Sequence, residues 1–90
     1  MSIHLGEFVY SLKGRDAGRC FIVISDDGEF LYVCDGKHRK VLTPKKKRVK
    51  HLGFTGDADS FITEKLLGGD KVTNSEVKAA IRRYKDRKDI

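Results

Sequence analysis

A chain of 90 residues holds one domain with at most an appendage, and burying about 60–65% of its unfolded surface gives it a small core with little room for a deep catalytic cleft. Its formal charge of +6 comes from 19 Lys and Arg against 13 Asp and Glu, and it is unevenly spread: Lys37 to His51 contains eight Lys or Arg and no acid, whereas the other eleven face all thirteen acids. One concentrated basic segment points to a polyanion, a nucleic acid or an anionic surface, and the absence of 18 consecutive apolar residues argues against a membrane-spanning helix.

Residues Glu7 to Leu12 mix Phe, Val and Tyr with polar residues and read as a first strand. Gly14 to Arg19 (GRDAGR) is turn material, with Asp16 expected as a turn-stabilising side chain. Cys20 to Ser25 (CFIVIS) is a short, β-branched apolar run and so a buried strand. Asp26-Asp27-Gly28 supplies a hairpin turn before a third strand, Glu29 to Cys34, which Asp35-Gly36 ends. Arg39 to Thr43 reads as a short fourth strand closed by Pro44, which has no N–H to give a ladder. Arg48 to Phe54 reads as a fifth. Five short strands suggest a closed barrel, the arrangement that leaves a small sheet no open edge.

The pattern changes after Thr55. Ala58, Phe61, Ile62 and Leu66 fall on one face of a short helix stopped by Gly68-Gly69. Thr73 and Glu76 form a capping box, Val72 and Val77 a hydrophobic staple, and Val77, Ala80, Ile81 and Tyr84 recur at helical spacing with Lys78, Arg82, Arg83 and Lys85 opposite. The expected division is a barrel over residues 1–55 and a helical tail over 56–90, with helices near 58–67 and 74–87.

GEFVYSLKGRDAGRCFIVI has the layout of a KOW motif, a strand, a loop closed by a glycine (here Gly18) and a second strand. Together with DGKHRKV and PKKKRVKHL it resembles the bacterial KOW-domain RNA-binding proteins, which are similar to the single-KOW proteins of archaeal and eukaryotic large ribosomal subunits. The resemblance covers about Leu5 to Leu52 and implies a mostly β fold, a small SH3-like five-stranded barrel with a C-terminal α-helical tail. It also implies RNA, often ribosomal RNA, bound through loops at one end.

The residues point the same way. Lys13, Arg15 and Arg19 flank Gly14 and Gly18, glycines that let a backbone approach phosphate, and the N–H groups of such turns can form an anion nest. Lys37, His38, Arg39, Lys40, Lys45, Lys46, Lys47, Arg48 and Lys50 make up the basic segment, suited to phosphate through charge and, for Arg, planar bidentate geometry. Positive φ or a close approach is expected at Gly18. Of Phe8, Tyr10, Phe21, Phe30, Tyr32 and Phe54, most belong in the core, with Tyr10 or Tyr32 the candidate surface ring for base stacking.

Cys20 and Cys34 sit in apolar runs as buried hydrophobes, without metal-ligand spacing, and the His and carboxylate positions suggest no catalytic set. The expectation is therefore a non-enzymatic RNA-binding protein without metal or cofactor, monomeric when free. Met1 to Gly6 lacks an apolar signal core, so a cytoplasmic location is expected. PKKKRVK is also close to a nuclear-import pattern, but it falls at a predicted strand start rather than in a flexible segment. Ribosomal RNA, and ribosomal proteins beside it, are the expected partners. A second reading makes the chain a protein-interaction module of the translation or transcription machinery, with the tail helices as interface and the basic run meeting an acidic partner.

Overall fold

The computed structural model describes residues 3–88. Five strands, β1 (Glu7–Ser11), β2 (Cys20–Asp26), β3 (Phe30–Cys34), β4 (Lys45–Arg48) and β5 (Leu52–Ala58), form one antiparallel sheet in the order β4-β3-β2-β1-β5. Two helices follow, α1 (Ser60–Leu67) and α2 (Asn74–Lys88). The expected boundary at residue 55 falls inside β5, which runs on to Ala58.

The expected closed barrel is absent as a ladder, because β4 and β5 are the two edges of the sheet. The sheet is nevertheless curled. In a flat five-stranded sheet its edge strands lie about 19 Å apart, yet only the 3-10 turn Val49–His51 joins Arg48 to Leu52, a connection that reaches about 14 Å at most. The core agrees. Val9, Phe21, Val23, Leu31, Val33 and Leu52 form a buried cluster drawn from strands alone, with Leu5 against it. Among the described residues, no side chain of α1 or α2 belongs to this cluster, so the sheet encloses it by curvature.

The alternate residues face the other way. Phe8, Cys20, Ile22 and Cys34 pack with Ile62 of α1 and Val77, Ala80, Ile81 and Tyr84 of α2. Both faces of β2 are therefore buried, which is why CFIVIS reads as an unbroken apolar run rather than an alternation. Phe8 stacks on Tyr84 with ring centroids 4.2 Å apart. The capping box forms as its spacing predicts: Glu76 N–H donates to Thr73 Oγ1 at 3.1 Å, and Thr73 N–H donates to the Glu76 carboxylate at 2.9 Å.

Residues 39–43 are not a strand; the fourth strand begins after Pro44, not before it. Asp35 is the cause. Its Oδ1 accepts the N–H groups of Lys37, His38 and Arg39 at 2.8–2.9 Å, which curls the chain away from β3. Val41 N–H then donates to Asn74 Oδ1 at 2.8 Å, so the segment is held on the start of α2 instead of on the sheet. The expected fifth strand over Arg48 to Phe54 is likewise divided by the 3-10 turn.

Candidate nucleic-acid interface

The GRDAGR loop closes on itself. Ala17 N–H donates to Gly14 O, Gly18 N–H to Ser11 O and Arg19 N–H to Asp16 O, at 2.8–3.2 Å. Gly18 has φ +85, the positive value expected, and open space around its Cα. Conformation, not crowding, requires glycine there. With these three N–H groups engaged internally, the expected anion nest does not form from them, and the loop offers Lys13 and Arg15 as exposed side chains instead.

Asp16 is not an Asx-turn residue. It is buried, and its carboxylate takes Arg19 at 3.4 Å and Arg39 at 3.2 Å. This bridge ties the GRDAGR loop to the DGKHRK loop, two segments far apart in sequence. It also engages both guanidinium groups, leaving Arg19 and Arg39 half-buried.

Strand β4 splits the lysine run by parity. Lys45 and Lys47 pair with Val33 and Leu31 on the inner face, while Lys46 and Arg48 pair with Tyr32 and Phe30 on the outer one. Lys47 is buried, and its ammonium donates to Lys13 O at 3.0 Å. It is a structural tie between β4 and the GRDAGR loop, beside Gly14, rather than the phosphate contact expected. Lys46 and Arg48 are exposed and lie over the Phe30 ring, at 4.2 and 5.0 Å from its centroid. Phe30, not Tyr10, is thus the partly open ring beside the cations. Tyr10 packs against the helix-side core, and Tyr32, also half-buried, donates its hydroxyl to Asp27 at 2.8 Å.

The 3-10 turn gathers the remaining charge. Partial burial, and then the positive charges of Lys50, Lys13, Lys47 and Arg48, hold the His51 imidazole below its ordinary pKa. Four cations near enough to act on one imidazole, in addition to its burial, mark a positive surface around the turn and the GRDAGR loop. Of the eight Lys and Arg of the basic segment, only Arg39 meets a carboxylate among the described residues.

Lys37 and His38 are exposed on the other side of the Asp16 bridge, with Lys40 further along the loop. Burial raises the Asp35 carboxyl, but the N–H groups of Arg39, Lys37 and His38 outweigh it and hold the group below the usual carboxylate range. The loop is thus pinned by a carboxylate that is ionised at neutral pH. Lys37 and His38 line a groove of about 470 Å³ whose far wall is α2, with Lys78, Arg82 and Lys85. These helix residues were not among the expected site residues, although their i, i+4, i+7 spacing puts them on one stripe of the helix.

Burial raises the Cys20 thiol and pushes Cys34 up to about 12, so both stay protonated at neutral pH. Among the described residues, no group of three or more His, Cys, Asp or Glu side chains could hold a metal ion, and no helix is long and apolar enough to cross a membrane.

In comparison with known proteins, the chain matches no protein-family model and no curated sequence.

Proposed function

We propose that this chain is a non-enzymatic RNA-binding protein of KOW type, whose curled sheet is an SH3-like barrel open at one seam. The sheet order, with a 3-10 turn joining the two edge strands, and the glycine with positive φ between β1 and β2 support that reading. Lys13, Arg15, Lys46, Arg48 and Lys50 bind the phosphate backbone. The partly open Phe30 ring takes an unstacked base when Lys46 and Arg48, which lie over it, turn to phosphate.

One observation carries the functional reading. The cations around the 3-10 turn and β4 form no ion pair among the described residues, Asp27 acting on Lys46 only at longer range, while the carboxylates of Asp57, Asp59 and Glu76 are paired with Lys88, Arg83 and Lys65 elsewhere. A surface kept for solubility alone gains nothing from this segregation, because interspersed signs serve it equally well. A polyanion does gain from it, through release of condensed counterions. Few groups here suit base-edge readout, so recognition is of backbone and shape.

We place the protein on ribosomal RNA in the cytoplasm, as a monomer when free, with ribosomal proteins as neighbours. Ultraviolet crosslinking in cells followed by RNA sequencing tests this. Ribosomal RNA enriched over an uncrosslinked control is the expected result. No RNA above the control contradicts RNA binding, and RNA without ribosomal enrichment contradicts the ribosomal assignment.

A further inference from the structure

The groove between the 36–38 loop and α2 is built from two separate parts of the chain. Arg19, Lys37 and His38 supply one wall, Lys78, Arg82 and Lys85 the other, and the apolar side chains Cys20 and Ile81 lie between them. Two carboxylates also line it. Asp35 is turned onto the N–H groups of its own loop, and Asp86 sits on α2. Among the described residues, Lys37, Lys78, Arg82 and Lys85 form no ion pair. The walls stand close because Gly36 has no side chain: a Cβ there would collide with the Asn74 carbonyl and come within 2.8 Å of Lys78 Cγ.

We propose that this groove holds one unpaired stretch of RNA strand, a second binding surface distinct from the β4 side and dependent on the RNA-binding reading above. Cations on both walls can surround a single backbone. A duplex carries its phosphates on the outside of a cylinder far wider than a 470 Å³ groove and meets at most its rim. Cys20 and Ile81 give a splayed base an apolar floor, and the planar guanidinium of Arg19, held at its edge by Asp16, gives it a face to stack on.

The test uses the full chain and its Lys78→Gln/Arg82→Gln variant, whose altered side chains are exposed and leave the apolar face of α2 intact. The probes are a fluorescent oligouridylate and a fully paired RNA duplex. In the variant, the oligouridylate should bind more weakly, with a log-affinity against log-salt slope shallower by about 1.4, or ~0.7 for each lost contact. Duplex affinity should be unchanged. Unchanged oligouridylate binding overturns the inference and leaves the RNA-binding reading standing. An equal loss for both probes overturns the single-strand assignment. If the unaltered protein binds neither probe, both readings fall.

Discussion

His51 reports the field of the basic surface at the level of one side chain. Partial burial and the charges of Lys50, Lys13, Lys47 and Arg48 favour its neutral form. The unfolded chain therefore takes up a proton before the folded one as pH falls. The stability supplied by the neutral ring is fully present above the unfolded pKa, near 6.5, and is lost as pH drops through the lower folded value. Phosphate brought to the same surface acts in reverse, because an anion favours the imidazolium. RNA binding should then take up a proton at His51, and affinity should rise as pH is lowered from about 8 to about 6. Fluorescence anisotropy across that range checks it, with His51→Gln as control. A profile equally steep in the variant would assign the dependence to another group.

Asp16 and Lys47 show where sequence reading stops at this scale. Both look like solvent-facing charges in a turn and a basic run. Their burial is set by partners distant in the chain, Arg39 for Asp16 and the Lys13 carbonyl for Lys47. Nothing local signals either contact. A Lys47→Glu change would place a carboxylate against that carbonyl, so the basic surface is better probed at Lys46, Arg48 and Lys50.

At the scale of elements, the strands carried by alternation or by apolar runs were legible: β1, β2 and β3 lie within a residue or two of their expected ends. The second helix was legible for the same kind of reason, since caps and periodicity are local, whereas α1 begins at Ser60, leaving Ala58 in β5 and Phe61 exposed rather than on its buried face. The fourth strand was not. Val41 and Leu42 resemble strand residues, but the Asp35 carboxylate takes three consecutive N–H groups and Asn74 takes a fourth. Asp35-Gly36 signals a turn that ends β3; how far that turn reaches over the next residues depends on tertiary placement against α2.

Two glycines separate conformational strain from crowding in these loops. Gly18 and Gly36 both have positive φ, and only Gly36 lies against backbone, the Asn74 carbonyl. An alanine at either position costs about 1–2 kcal/mol for the left-handed conformation. Gly36→Ala must in addition push the 36–38 loop off α2. Denaturant unfolding should therefore find Gly36→Ala clearly less stable than Gly18→Ala. Equal losses would mean that the loop yields freely and the groove is not a fixed feature.

For the whole molecule, the sheet and α2 share one buried cluster. Ile81 and Tyr84 bury against Phe8, Cys20 and Ile22, and the Tyr84 hydroxyl reaches Asp57 of β5 at 3.3 Å. Truncating a buried Ile to Ala costs about 2–5 kcal/mol, a large share of the stability of a small domain. Ile81→Ala should lower Tm in a single cooperative transition. A melting curve unchanged from that of the parent would show that α2 contributes nothing to the stability of the sheet.

The architecture also explains how one sequence segment becomes a surface. Curling the sheet brings the β4 edge round to the β1–β2 loop, so that Lys13 meets Lys47 and the 3-10 turn lies against Leu12. The charge run was plain in the sequence; its division into buried, ring-stacked and open cations follows from strand parity and curvature. The most direct test of the central claim is the salt dependence of RNA affinity for the parent protein and for Lys46→Gln/Arg48→Gln/Lys50→Gln. With four to six phosphate contacts on a single strand, the parent slope should lie at about −3 to −4, and the variant should be shallower by about 2. A parent slope near zero, or a variant slope equal to that of the parent, would contradict phosphate binding by this surface.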